Sequence, residues 1–275
     1  MPPLTTVQKA IVQRFMNATG ANEKTAQRFL RNANYKLDVA ADTYLSAASS
    51  DTGRVAAIEK AYDDMVTTSR GDTRDVLSTE TTLEYLQQDL GVNVENAEMF
   101  VALEVIKAPA VGEITRQGFV DGWKATDLST FSKAAQKQHV QDSIALMSSD
   151  PAYFRKVYRH AFIAGKESSQ KSLALEYAKI YWTILFAEPG RPWKTAARDW
   201  GSLWLEFVEE KYTHSVSKDL WNMTLEFAYK TMADESLSFY NAEDSWPGVV
   251  DDFVVWYRAK FPKQNTTEDQ MDESQ

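Results

Sequence analysis

Apolar residues recur along most of this chain at intervals of three and four, the spacing that lines up one face of an α-helix. Val7, Ile11, Val12, Phe15 and Met16 share such a face, Thr19-Gly20 interrupts it, and Asn22 is placed to cap a second helix carrying Ala26, Phe29 and Leu30. NANYK (32–36) reads as a turn, and Asp38 as the cap of a third helix with Val39, Ala40, Thr43, Tyr44 and Leu45. The small residues of SAASSDTGR (46–54) predict a hinge. It makes 47–55 a linker between a small domain, 5–46, and a larger one, 56–262. Beyond the linker, Ser78 or Thr79 can cap a helix with Leu83, Leu86 and Leu90, followed by a stripe of Met99, Phe100, Leu103 and Ile106. Thr115 opens a helix with Phe119 and Trp123. Later stripes are Tyr153/Phe154/Tyr158/Phe162, Leu173/Leu175/Tyr177/Tyr181/Ile184, Trp200/Leu203/Trp204/Phe207 and Leu220/Trp221/Leu225/Phe227. Strict alternation is missing, so the fold class is all-α with strands at most short.

Composition narrows the chemistry. With 275 residues, 44% hydrophobic and 12% aromatic, the chain can build a large core beside a smaller one. A net charge of −9 argues against nucleic acid, which selects clustered Lys and Arg, and favours a basic protein surface. Nothing apolar approaches the roughly 20 residues of a membrane helix. The opening MPPLTTVQKA lacks a signal-peptide core and the second-position Gly of myristoylation, so cytoplasm, nucleus or both are expected. The tail, 263–275, is acidic, with little to bury, and is expected to be disordered.

Cysteine is absent, which removes disulfides, thiolate zinc sites and thiol nucleophiles. His139, His160 and His214 show no metal-ligand spacing, and structural roles are expected for them. Two helix–loop–helix units between about 78 and 124 have EF-hand proportions. Their loops, DLGVNVEN (89–96) and APAVGEIT (108–115), lack the spaced carboxylates, central Gly and terminal Glu of a calcium site. No metal or cofactor is expected, and no phosphate-binding glycine loop is present.

DSWPGVVDDFVVWYR (244–258) raises a sharper question. Pro247 suits a first helical turn, with Ser245 or Trp246 as cap and Val249, Val250, Phe253, Val254 and Tyr257 as the buried stripe. Asp251 and Asp252 then leave the helix about 100° apart, a poor arrangement for two carboxylates serving one substrate. In SVSKDLWNMTLEF, Ser217 can cap and Asp219 falls in the first turn. Such acids are explained by the helix dipole or by a shared acidic surface for a partner; spacing leaves both open.

The residues 5–46 resemble a ubiquitin-associated (UBA-like) three-helix bundle in helix count and size. SKDLWNMTLEFAYKTMADESLSFYNAEDSWPGVVDDFVVWYR (217–258) closely resembles the C-terminal signature of the defective-in-cullin-neddylation family. GFVDGW and the UBA-like segment also fit that family, in its domain order and over nearly the whole chain. The resemblance implies a potentiating-neddylation domain over 56–262 and a non-catalytic, ligase-like factor. Such a factor binds the winged-helix end of a cullin and the acetylated N-terminal methionine of the conjugating enzyme charged with the Nedd-type modifier. Holding the two together is catalysis by proximity and needs no reactive side chain.

The family's cullin-contacting Asp, Ala and Asp correspond to Asp219, Ser245 and Asp251, with Ser departing from Ala in the middle. The acetyl-methionine pocket corresponds to Leu83, Met99, Ala102, Leu103, Ile114, Ala164, Tyr181 and Ile184. On pattern alone the same set reads as plain helix core. For the UBA-like part the resemblance implies weak ubiquitin binding through Met16, Thr19, Gly20 and Leu45, although MNATGA replaces the usual Met-Gly-aromatic turn. A stabilising appendage is the other reading. A monomer is expected. The competing function is a ubiquitin receptor acting through the UBA-like domain; a hydrolase using Asp251 and Asp252 is disfavoured by their directions and by the missing nucleophile–base set.

Overall fold

The computed structural model describes residues 4–67 and 70–262, and the acidic tail lies outside the described residues. Two compact units divide after Asp64, with Ser129–Phe131 belonging to the first.

In the first unit, α1 (Thr6–Thr19) opens on a reciprocal cap: Gln8 N donates to Thr5 Oγ1 and Thr5 N to Gln8 Oε1. It closes at Gly20, whose φ of 72° few other residues adopt without strain. Asn22 caps α2 (Glu23–Asn32) by accepting from Thr25 N at 2.9 Å, as its position predicts. Residues 33–35 turn, with Asn34 and Tyr35 at positive φ. Asp38 lies in the first turn of α3 (Leu37–Met65) rather than before it, so it acts on the helix dipole and not as a cap. Val12, Phe15, Ala26, Leu30 and Ala40 make the core, with Tyr44 set edge-on to Phe15 and Phe29.

The expected hinge is not a break. A single helix, α3, runs through all of 47–55. Ala, Ser and Thr tolerate helix, Pro is absent, and Gly53 costs only about 1 kcal/mol relative to Ala. Ile58 and Tyr62, further along, are fully buried, which gives the extension a reason to persist.

In the second unit, β1 (Val76–Leu77) pairs antiparallel with β2 (Ile114–Thr115). Ser78 caps α4 (Thr79–Glu84), which continues as a π-helical turn, Tyr85–Asp89. DLGVNVEN and APAVGEIT both lie between helices, and the segment that pairs with the end of APAVGEIT is GDTRDVL, before α4. Asp72 in that segment is buried and satisfied by protein, accepting from Thr67 N, Ser78 N and Thr81 Oγ1 at 2.6–2.8 Å. Those bonds hold its carboxyl below the usual range despite burial.

Next come α5 (Glu98–Val105), buried over most of its surface, and α6 (Arg116–Lys124), capped by Thr115. Helix α7 (Lys133–Ser149) has no counterpart among the sequence stripes. Only Val140, Ile144 and Met147 carry its buried apolar face, and buried Gln136 and Ser143 interrupt the pattern. Then follow α8 (Pro151–Gly165), α9 (Leu175–Leu185), α10 (Trp200–Lys211), α11 (Lys218–Ala233) and α12 (Gly248–Lys260).

An aromatic knot joins α8, α9 and α11. Tyr158 stacks on Trp221 at 4.4 Å, and Trp182 stacks on the same residue, Trp221, at 5.5 Å. Every polar atom of the knot is used: Trp182 Nε1 donates to Tyr158 Oη, Tyr158 Oη to Trp221 O, and Trp221 Nε1 to Tyr158 O. Complete burial pushes the Tyr158 phenol well above its ordinary range, so it stays a donor.

Candidate functional site

The α11–α12 segment is built so that acids reach the surface from a stiff base. Ser217 Oγ accepts from Leu220 N at 3.1 Å and starts α11, which places Asp219, exposed, in the first turn. At the far end, Asp234 gathers the chain: its two oxygens accept from the backbone N and the hydroxyl of both Ser236 and Ser238. Those four bonds hold the Asp234 carboxyl well below the usual range. Leu237, at φ 57°, is buried beneath this turn. The loop then clasps α11, with Phe239 and Trp246 set edge-on to Phe227 at 5.8 and 5.7 Å.

Pro247 is the residue before α12, not a member of its first turn. Its carbonyl accepts from Val250 N at 2.7 Å and from Asp251 N at 3.4 Å. No side chain caps this helix, because Trp246 is packed on Phe227 and Ser245 is exposed. Phe253 packs on Phe227, so Trp246 and α12 share one ring of α11 as their seat. Asp251 is half-buried and Asp252 exposed. The Tyr240 hydroxyl donates to Asp251 Oδ1, and Tyr240 is a site residue that the sequence reading missed.

The structure therefore brings Ser245 and Asp251 onto one buttressed loop–helix junction. Asp219 lies about 12 Å along α11 from Phe227, the ring on which that junction rests. The exposed Asp219 and the half-buried Asp251, with the small Ser245 on the loop before α12, suit the ammonium or guanidinium of a partner.

The eight apolar positions come from β2 and four helical segments. Met99, Ala102, Leu103, Ile114, Ala164 and Tyr181 are buried, while Leu83 and Ile184 are half-buried. Tyr181 meets Phe100 of α5 at 4.7 Å, and Ala164 O accepts from Val111 N at 2.9 Å, tying the end of α8 to the loop before β2. Burial pushes the Tyr181 phenol up to about 12. Around this set Val111, Tyr177 and Ile180 are exposed, so an apolar rim continues it along α9. Tyr177 and Ile180 precede Tyr181 and Ile184 at helical spacing, a signal already present in the α9 stripe.

In the first unit, Met16 and Thr19 are half-buried, and Thr19 Oγ1 donates to Phe15 O, so its hydroxyl serves the end of α1. Gly20 and Leu45 are exposed. The histidines have structural partners: His160 Nε2 lies 3.0 Å from Ala108 O, His139 packs on Trp123 and His214 on Tyr212. Burial lowers the pKa of His139 and His160. Among the described residues no three His, Cys, Asp or Glu side chains are grouped to hold a metal, and no helix is long and apolar enough to cross a membrane.

A family model described as Cullin binding matches residues 135–256, and one described as UBA-like domain matches 9–51. The first span contains Asp219, Ser245 and Asp251. Defective in cullin neddylation protein 1 of Pyricularia oryzae is 42% identical over 272 residues, covering 94% of this chain and 95% of the relative. The chain belongs to the defective-in-cullin-neddylation family. The Yarrowia lipolytica protein of the same name is 30% identical over 90% of the chain. Human DCN1-like protein 5 is 28% identical over 178 residues, 65% of this chain and 70% of its own length. The UBA-like match extends to residue 51 and thus into the part of α3 that spans the expected linker.

Proposed function

We propose that this chain promotes cullin neddylation as a scaffold, by holding a cullin and the acetylated N-terminus of a conjugating enzyme at once. The observation that carries this reading is that the Cullin binding match spans both the buttressed junction of Ser245 and Asp251 and the exposed Asp219 at the start of α11. The acids bind basic side chains of the cullin, and Ser245 leaves room for a close approach. The apolar set around Tyr181, with its exposed rim on α9, takes the acetylated methionine and the helix behind it. Transfer is accelerated by proximity alone, which accords with a chain that has no cysteine to carry the modifier. Its place of action is the cytoplasm, the nucleus or both.

A reconstituted reaction with cullin, charged conjugating enzyme and this chain tests the reading. Modifier transfer to the cullin should rise with added chain, with no covalent adduct on the chain itself. An unchanged rate would sink the proposal.

For the UBA-like unit we propose weak ubiquitin binding, supported by Leu45, which is 49% exposed although apolar. Titrating ubiquitin should shift amide resonances of Gly20 and Leu45; no shift at millimolar ubiquitin would leave the unit a stabilising appendage.

A further inference from the structure

Asp234 stands at the C-terminal end of α11, where the helix dipole disfavours a carboxylate. The helix itself does not account for it, since the last turn of α11 already carries Lys230. What Asp234 holds is the next stretch of chain. Oδ1 accepts from the backbone N and the hydroxyl of Ser236 at 2.9 and 2.6 Å, and Oδ2 from those of Ser238 at the same distances. Each oxygen serves one serine, so both must be acceptors, which a carboxylate supplies and an amide does not.

Between the two serines Leu237 takes φ 57°, a left-handed conformation that a residue with a side chain adopts when its surroundings impose it. The course of the loop follows from this residue. Leu237 N donates to Asp234 O at 3.4 Å, and Leu237 O accepts from Tyr240 N at 3.1 Å. Tyr240 Oη then donates to Asp251 Oδ1 at 2.7 Å. Further on, Asp244 N donates to Asn241 O and Trp246 N to Asp244 O, local turns that shape the loop but tie it to no helix. Lys230 lies 5.4 Å above the Phe239 ring, and Phe239 rests on Phe227. Those contacts seat the loop on α11, whereas the directional bonds run from Asp234 to Asp251.

We infer that Asp234 is a positioning residue for cullin binding: by clamping Ser236 and Ser238 it fixes Leu237, Leu237 fixes Tyr240, and Tyr240 aims Asp251 at the basic side chain of the partner. The inference rests on the cullin reading above and adds to it the residue that holds the loop in its binding shape. Asp234 acts through Tyr240 and needs no contact of its own with the partner. A turn that merely stabilised the fold would act on binding equally with or without the Tyr240 hydroxyl, and that difference can be measured.

A double-mutant cycle on the full chain tests it, with a cullin C-terminal fragment titrated calorimetrically into wild type, Asp234→Asn, Tyr240→Phe and the double variant. Asp234→Asn should lower affinity by about threefold to tenfold in wild type. In the Tyr240→Phe background the same change should cost less than about twofold, because the two residues act in one line. In a spectrophotometric titration the late tyrosine, at about 12 in wild type, should move back towards 10 in Asp234→Asn. Ser236→Ala/Ser238→Ala removes both hydroxyl bonds of the clamp with the charge unchanged, and should weaken cullin binding too. It decides the matter if Asp234→Asn does not fold. Equal losses with and without the Tyr240 hydroxyl would make Asp234 a structural anchor and overturn the inference, as would full affinity in both clamp variants or an unmoved tyrosine. Asp251→Lys, titrated alongside, separates the two levels. A loss there with none at Asp234 removes the inference and leaves the cullin reading, whereas wild-type binding by Asp251→Lys removes both.

Discussion

The hydroxyl of Tyr240 donates a 2.7 Å hydrogen bond to Oδ1 of Asp251, and the Arg258 guanidinium lies 5.4 Å above the Tyr240 ring. The loop before α12 thus orients the acid that its own helix presents. Tyr240→Phe removes that bond and leaves the ring. Cullin affinity should fall by several-fold, in line with the roughly 1.5–3 kcal/mol of a hydrogen bond to a charged group discounted for its partial exposure. Helical circular dichroism should not change. Unaltered cullin binding would show that Asp251 needs no orientation.

The same bond gives a pH signature. Burial first, then the Asp251 contact, pushes the Tyr240 phenol from 10.0 up to about 12. The folded state thus holds the proton more tightly than the unfolded chain. Its contribution to stability is complete below pH 10 and is lost as pH climbs towards 12. The spectrophotometric titration of wild type minus Tyr240→Phe should show one late tyrosine; a midpoint near 10 would contradict the geometry.

Gly122 of the GFVDGW segment explains itself once α6 is seen against the end of α5. A Cβ on Gly122 would lie 2.1 Å from Val105 O and 2.9 Å from Ile106 Cα, and backbone cannot step aside cheaply. Gly122→Ala should destabilise by about 1–3 kcal/mol, at roughly 2–4 °C of Tm per kcal/mol. Gly53→Ala is the counterpart. Nothing lies within 4 Å of its Cβ and it sits inside α3, so the Tm should hold or rise, by up to about 1 kcal/mol of helix propensity. A loss at Gly53 would restore the hinge.

The contrast between those glycines marks what the sequence could convey. Local rules were legible wherever one residue does one job: Asn22, Ser78, Thr115 and Ser217 each cap the helix that their positions predict. Buried stripes such as Phe154/Tyr158/Phe162 were legible because large side chains repeat at one period. Helix α7 was not, since its face is filled by Gln136, Ser143 and three apolar residues. Continuity of α3 was hidden because small residues serve a hinge and a helix equally well, and tertiary burial of Ile58 and Tyr62 decides. Of the candidate site, Asp219 and Asp251 could be named, but Tyr240 could not, because an i to i+11 contact across a loop leaves no periodic trace.

For the apolar set the expected behaviour is a preference for acetylated ends. A peptide with the acetylated N-terminus of the conjugating enzyme should bind the full chain at least about tenfold more tightly than the free amine, because burying an unpaired ammonium is costly. Ile184→Asp, at a half-buried position on the rim of the set, should remove acetyl-peptide binding and spare cullin binding. Equal affinity of the two peptides would mean that these residues are core and nothing more.

Asp251 and Asp252 provide the most direct test of the cullin contact. They are adjacent in sequence and leave α12 about 100° apart, so only one of them can face a given partner. Asp251 is half-buried, tied to Tyr240 and six residues from Ser245, whereas Asp252 is exposed. Asp251→Lys exchanges attraction to a basic surface for repulsion and should cost several kcal/mol of cullin binding, and Asp219→Lys should behave alike. Fold stability should move by only about 0.3–1 kcal/mol from the lost dipole interaction at each first turn. Calorimetric titration of a cullin C-terminal fragment into the Asp219→Lys/Asp251→Lys double variant should give no heat of binding, while acetyl-peptide binding persists. Asp252→Lys should retain most of the affinity. Greater damage at Asp252 would put the contact on the other face of α12, and full binding by the double variant would remove the acidic junction from the function altogether.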